Sequence, residues 1–399
     1  LYICRIVTMS APIICDSGTG YIKLGYASET FPRHIYPSMI GRPMLRFGEK
    51  IEGVTLKEIM IGDEAAPVRS MLELSHPIEE GIVKNWDEMT MLWEYGIKKK
   101  LNVDPKNERI LLTEAALNPQ KNRETMCEIF FEKFGFSKLQ IGVQALLSLF
   151  AEGRMTAALL DSGDGVTHCI PISEGYIQQA HIERINLAGR HVTQYLTKLL
   201  LLRGYAFNSS ADFELVREIK EKFCFVSSDI EMDRKLSRET TTFVEEYRLP
   251  DKSLIKIERE RFEASEILFQ PHLAGYQFPG VSEIVFRCIN NCPIDTRKDL
   301  YQNILLSGGT TMFPGFPTRL ENDIQNLYKK IILKGDKDTK LKFDIEVIDP
   351  PRRKYNVFIG AGVYCNTYDG SPDWWITKQD WEEAGVQALK KAQQNVQLQ

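Results

Sequence analysis

Two stretches carry residues whose types and spacing could do chemistry: Asp16-Ser17-Gly18-Thr19-Gly20 and Asp161-Ser162-Gly163-Asp164-Gly165. Each follows a short apolar run, Ile13-Ile14-Cys15 or Ala158-Leu159-Leu160, and precedes a second strand-like run. The pattern is strand, carboxylate, glycine turn, strand, written twice. Glycine accepts the positive φ of a tight hairpin turn and lets backbone approach a ligand with no Cβ in the way. Successive N–H groups in such turns form a concave anion site. Either loop alone is an ordinary hairpin, but a pair, one in each half of the chain, could grip a polyphosphate from opposite sides.

The aspartates sharpen that expectation. A carboxylate facing phosphate oxygens is repelled unless a cation lies between them. Mg²⁺ keeps several of its waters and shares one or two carboxylates with phosphate. Asp16 and Asp161 are therefore candidate metal residues, acting through water. No GxxxxGK[ST] occurs, so the phosphate site is not of the Walker type.

The elements that must position these loops are those of an ordinary globular chain. With 399 residues there is room for two or three domains with sizeable cores. Apolar residues make up 43% and charged ones 26%, and the net charge of −4 argues against a general nucleic-acid binder, which carries a basic face. No apolar run approaches the ~20 residues of a membrane-spanning helix. The eight cysteines include no CxxC pair, so structural zinc is not expected and a reducing setting fits. Residues 1–8 are too short and mixed for a secretory signal, and Met9 looks like the natural start.

Apolar spacing predicts a strand over 35–40 and a turn-rich, mobile segment over 41–76. Asn85 should cap a helix through Trp86, Met89, Leu92 and Trp93. A buried strand over 109–113, a helix over 122–134, a strand over 139–143 and a helix over 144–151 then lead to the second loop. This βαβα alternation is that of a doubly wound half. Beyond it come a hairpin over 157–178 and a helix over 189–203 whose leucine run should be mostly buried. A helix over 212–225 capped by Ser209 or Ser210, a β-rich stretch over 240–257 and helices near 264–270 and 282–291 follow. A buried strand running into Gly308-Gly309, a helix over 317–332, a charged loop over 334–342 and a strand over 343–348 precede the closing segment 356–399. The halves are joined by chain that crosses between them, which predicts a hinged cleft.

These residues resemble the actin family. DSGTGYIKLGYA, YPSMIGRP, GDEA, PIEEGIVKNWD, LLTEAALNPQKNRE, DSGDGVTH, LAGR, IKEK, LFQP, DTRKDLY, LSGGTTMFPG, PPRRKY and WITKQDWEEAG occur in family order from about residue 12 onward. Within the family, LLLLRGYAFNSSADFE, ETTTFVEEYRLPD, RFEASEILFQPHLAG and the LKGD stretch are most similar to an actin-related subunit of the complex that nucleates branched actin filaments. A conventional self-polymerising actin and, more distantly, an independent kinase of the same superfamily are the alternatives. The 44–58 loop and the longer 328–343 stretch speak against conventional actin.

The resemblance implies the α/β fold shared by actin, heat-shock chaperone and sugar-kinase ATPases: two similar lobes, each a mixed sheet flanked by helices, with a nucleotide cleft between. It implies a leader of non-native or disordered residues over 1–10. The outer lobe core would then be 11–37, 77–151 and 356–399, with an inserted subdomain over 38–76. The inner lobe core would be 152–187 and 277–355, with a further subdomain over 188–276. By position, Ser17, Gly18, Thr19, Gly20 and Lys23 match the first phosphate loop, and Gly163, Asp164, Gly165 and Val166 the second. Arg217, Lys220 and Glu221 fall where the family holds adenine and ribose, opposite Gly308, Gly309, Thr310, Met312, Phe313 and Lys354. Gln144 and His168 match the pair that orders the attacking water; unaided, a distant Gln and His read more naturally as structural.

The implied ligands are ATP and Mg²⁺, with at most slow hydrolysis. The implied partners are the other subunits of the branching complex, including its second actin-related protein, actin monomers and filaments, and nucleation-promoting factors. No nucleic acid and no membrane insertion are expected, and the implied location is the actin cytoskeleton of the cytoplasm and cell projections. Several residues depart from the family pattern. Ser17 replaces the usual Asn, His191 the usual Asp near the cleft hinge, and Tyr364 and Thr367 the leucines of a helix lining the groove between outer subdomains.

Overall fold

The computed structural model describes residues 10–44, 57–207, 210–249, 252–334 and 343–390. Ser209, the core of the 44–58 loop, most of the 334–342 loop, Met9 with the residues before it, and 391–399 lie outside the described residues. Ser10, assigned to the leader from sequence, is tied in: its hydroxyl donates to Glu108 and its carbonyl accepts from Arg109.

Two six-stranded sheets carry the molecule, and each is built around one of the glycine hairpins. In the first, Ile13–Ser17 pairs antiparallel with Tyr21–Tyr26 and parallel with Arg109–Glu114, which runs parallel to Lys138–Val143. His34–Pro37 and Ile376–Thr377 form its edges. In the second, Ala157–Ser162 pairs antiparallel with Thr167–Ser173 and parallel with Ile304–Ser307, which pairs with Val347–Ile348. Tyr176–Ile177 and Glu183–Ile185 both pair with Thr167–Ser173. The arrangement is a mixed α/β sheet in each half, with the hairpin strand at the centre. Ile13, Ile14, Leu111, Leu159, Leu160, Leu305 and Leu306 are wholly buried, as central strands covered on both faces require.

The chain leaves the first sheet through the helix Gln144–Ala151 and returns from the second through Asn356–Tyr368. The two helices pack so closely that a Cβ on Gly360 would lie 1.6 Å from the Leu147 carbonyl oxygen. Only glycine permits that approach.

Several elements differ from expectation for physical reasons. The single strand expected over 35–40 is two strands in different sheets, His34–Pro37 and Ile40–Pro43. The break falls at Ser38, whose N–H donates to the Gly20 carbonyl and whose hydroxyl donates to the Gly18 carbonyl, so the first glycine loop takes the bonds a continuous ladder would use. Ile40–Pro43 instead joins a three-stranded sheet with Met60–Ile61 and Leu72–Ser75.

The leucine run of the Gly189–Leu202 helix is not mostly buried. Val192, Leu196 and Leu200 form the inner face, whereas Leu201 and Leu202 are 52% and 84% exposed, because consecutive residues cannot share one face of a helix. The helix expected near 264–270 is Glu260–Glu266, and the strand over 343–348 shrinks to Val347–Ile348, with Phe343 stacked on Tyr301 instead. The helix over 122–134 ends in a widened π-turn, Ile129–Phe134. The predicted cap does form: the Asn85 side chain accepts the Glu88 N–H.

Candidate functional site

Register places the two hairpins in equivalent chemistry. Asp16 lies across from Lys23 in the first and Asp161 across from His168 in the second, each pair near the turn. The first turn closes through Gly18 N–H to the Tyr21 carbonyl at 3.0 Å, the second through Gly163 N–H to the Val166 carbonyl at 3.1 Å. The turns face each other at contact distance. A Cβ on Gly20 would lie 3.1 Å from the Asp164 Cβ, and one on Gly165 would lie 2.9 Å from Thr19 Oγ1.

A third glycine turn closes the floor. Gly308 holds φ +88°, and a Cβ there would lie 2.2 Å from the Ser162 carbonyl oxygen, so the position excludes every side chain. Thr310 anchors this turn to the second loop by donating to the Gly163 carbonyl at 2.5 Å.

The carboxylates sit in opposite electrostatic states. Asp16 accepts from Lys23 Nζ at 2.8 Å, Thr113 Oγ1 at 2.7 Å and Gln144 Nε2 at 3.0 Å. Burial pushes the Asp16 carboxyl up, but the Lys23 charge and these hydrogen bonds outweigh it and hold it below the usual carboxylate range. Asp161 has far less support. Burial raises its pKa, the Ser307 hydroxyl and the Lys23 charge offset this only in part, and the neighbouring Asp16 charge adds to the rise.

Gln144 begins its helix at the end of the strand Lys138–Val143. Its amide nitrogen is committed to Asp16 and, at 3.2 Å, to Thr113, which leaves its carbonyl oxygen as an acceptor for a water. His168 is 2% exposed, and its Nε2 has no hydrogen-bond partner. Burial, with the Arg184 charge behind it, lowers its pKa to about 4, so the imidazole is neutral at physiological pH.

The far wall belongs to the helix Ser210–Phe223. Lys220 is buried and donates to the Gly189 carbonyl at 2.9 Å; burial lowers its pKa. Arg217 is held by Glu214 at 2.5 Å and donates to the Tyr21 hydroxyl of the other half.

Every site residue expected from the sequence lines one cavity of about 360 Å³ between the two sheets: Asp16 to Gly20, Lys23, Gln144, Asp161, Gly163 to Val166, His168, Arg217, Lys220, Glu221, Gly308 to Thr310, Met312, Phe313 and Lys354. Sequence reasoning missed Tyr21, Gly189, Ser307 and Arg353, which line it too, and Thr113, which binds Asp16 from the strand beneath. Tyr21 follows Gly20 directly and Ser307 precedes Gly308, so adjacency to the loops was the available signal. Nothing in the sequence marks Gly189 as facing Thr310.

Of the departures from the family pattern, Ser17 accepts from the Trp93 indole N–H at 3.0 Å. His191 uses Nδ1 to accept the Ala188 N–H at 3.1 Å, capping its own helix. Tyr364 does not line a groove: it is buried against Phe150 and Trp374, while Thr367 is exposed.

The donor set suits a hard cation held mostly by phosphate and water. Among the described residues no cluster of three or more His, Cys, Asp or Glu side chains forms a protein cage for a metal, while Asp161 is a carboxylate that lacks a full counter-charge. Lys23 and the glycine turns supply the opposite charge and the N–H groups that phosphate would need.

Two hairpin-centred sheets enclosing such a cleft define a class, and the sequence profile described as Actin matches residues 8–394; the chain belongs to the actin family. More narrowly, it is 50% identical over 382 residues to the actin-related protein 2 of Acanthamoeba castellanii, covering 96% of this chain and 98% of that one. It is 50% identical over 387 residues to the actin-related protein 2 of Drosophila melanogaster, covering 96% and 97%. Against the actin-related protein 2 of Schizosaccharomyces pombe the identity is 48% over 382 residues, covering 96% and 98%.

Proposed function

We propose that this chain binds Mg²⁺-ATP in the cavity between its two sheets and serves as an actin-related subunit of the complex that nucleates branched actin filaments. The observation that carries the nucleotide reading is the meeting of the two glycine turns, with Asp16 and Asp161 behind them and Lys23 between. Near-full-length similarity to proteins named actin-related protein 2 supports the subunit role. In that role the chain, with the second actin-related protein, templates the daughter filament. Its partners would be actin monomers and filaments, the other subunits and nucleation-promoting factors, in the actin cytoskeleton of the cytoplasm and cell projections.

Thr19, Gly20 and Asp164 to Val166 would offer N–H groups and hydroxyls to the phosphates, and Lys23 would meet the β- and γ-phosphates. Arg217, Lys220 and Glu221 would hold base and ribose against Met312, Phe313 and Lys354. Bound Mg²⁺ would neutralise phosphate charge, which is most of what phosphoryl transfer to water requires. Gln144 orients the attacking water through its free carbonyl oxygen. His168, neutral and unpaired at Nε2, accepts a hydrogen bond from the water chain and becomes a stronger base as phosphate charge accumulates nearby. With so weak a base hydrolysis is slow, and it times branch disassembly rather than feeding metabolism. The helix pair Gln144–Ala151 and Asn356–Tyr368 is the hinge about which nucleotide closes the lobes.

Salt-induced assembly with Mg²⁺-ATP tests the subunit role. The purified chain should not form long filaments by itself, and the assembly recovered with it should make branches from actin. Long filaments of the chain alone would mean a conventional actin instead.

A further inference from the structure

We propose that Tyr21 and Arg217 form a latch across the cavity whose opening sets how fast bound nucleotide leaves. The inference rests on the nucleotide reading of the cavity and adds a residue, Tyr21, to its control. Tyr21 opens the second strand of the first hairpin, immediately after the Gly20 of the phosphate loop, and is held there opposite Pro37. Arg217 comes from the helix Ser210–Phe223 on the other side of the cleft. One of its guanidinium nitrogens donates to the Tyr21 hydroxyl, and its Cζ lies 5.0 Å from the ring centroid.

The contact is built rather than incidental. Glu214, one turn earlier on the same helix, grips the guanidinium at 2.5 Å, so Arg217 meets Tyr21 already oriented. Its Nε is buried and has no partner, so the bond to Tyr21 and the ion pair with Glu214 are what hold the guanidinium in place. Both residues line the cavity while remaining partly exposed, which puts their bond at its rim rather than its floor. The neighbouring residue on the helix, Glu218, reaches Arg69 at 3.5 Å in a second bridge across the cleft, but that pair is solvent-exposed and weak. The inner bond is therefore the one that holds the rim shut. Because Tyr21 adjoins Gly20, opening it also displaces the first phosphate loop.

The test uses release of a fluorescent ATP analogue from the full-length chain, chased with excess ATP. Tyr21→Phe keeps the ring and removes the hydroxyl, and should speed release about tenfold, the scale of one lost hydrogen bond to a charged group, with the melting midpoint lowered by only about 2 °C. In an Arg217→Lys background, where the bond is already altered, Tyr21→Phe should add little further acceleration. Arg69→Ala should leave the rate within about twofold of wild type. Wild-type release by Tyr21→Phe, with analogue still bound, would overturn the latch and leave the nucleotide reading standing. Failure of the wild-type chain to take up the analogue would overturn that reading and the latch with it.

Discussion

Neutralising the two loop aspartates one at a time should have opposite consequences for the nucleotide-free protein. Asp16 is half of a buried ion pair with Lys23, whose side chain is only 16% exposed, and it also takes bonds from Thr113 and Gln144. Removing one partner of such a pair strands the other, so Asp16→Asn should cost about 3 kcal/mol, the lower end of the range because Lys23 can turn toward the cavity. Asp161 behaves differently because its folded pKa lies above the ordinary carboxylate value. The folded state then holds the Asp161 proton more tightly than the unfolded chain does, so its ionised form opposes folding at pH 7 and the opposition fades only as pH falls. Asp161→Asn removes the charge and should leave the urea midpoint at pH 7 unchanged or raised, within about 0.5 kcal/mol of wild type or better. With Mg²⁺-ATP added, wild type should gain stability while Asp161→Asn gains far less, since the counter-charge the cation would meet is gone. If Asp161→Asn lost as much stability as Asp16→Asn without nucleotide, the electrostatic contrast drawn between the two hairpins would be wrong.

His168 predicts acid sensitivity. With a folded pKa of about 4 against 6.5, its neutral form supports stability above pH 6.5, and that support is lost as pH falls through the window toward 4. The full loss is about 3 kcal/mol, so His168→Gln should flatten the stability profile between pH 6.5 and 4; an unchanged slope would remove the residue from this role. Gln144→Ala should slow ATP hydrolysis about tenfold to a hundredfold while changing nucleotide affinity less than about threefold, measured by phosphate release and equilibrium titration. Gly308→Ala places a Cβ 2.2 Å from the Ser162 carbonyl oxygen at a positive φ, and should cost more than about 3 kcal/mol or prevent folding. A soluble Gly308→Ala variant with a wild-type melting midpoint would contradict the close packing of the third turn on the second loop.

The chemistry of the site was legible because it sits in repeated local patterns. A glycine turn after an apolar strand fixes a hairpin, and the register of that hairpin then fixes Lys23 beside Asp16 and His168 beside Asp161 without further information. The helix Gln144–Ala151 was readable to the residue because a β-branched strand end precedes a run of helix formers. What escaped was set by distant partners. Ser38 breaks a strand because two carbonyls of the first loop compete for it. The exposure of Leu201 and Leu202 depends on which face of their helix meets the core. Tyr364, expected on a groove, is covered by Trp374 just beyond its own helix and by Phe150, which is far from it in sequence. Tyr21 was passed over as a plain strand residue, since its partner Arg217 lies in the other half of the chain.

The most direct test of the central claim is a structure of the chain determined with Mg²⁺ and a non-hydrolysable ATP analogue. The triphosphate should lie between Gly18–Gly20 and Gly163–Gly165, with the metal facing Asp16 and Asp161 through water. Density for the analogue lodged elsewhere, touching neither turn, would contradict it.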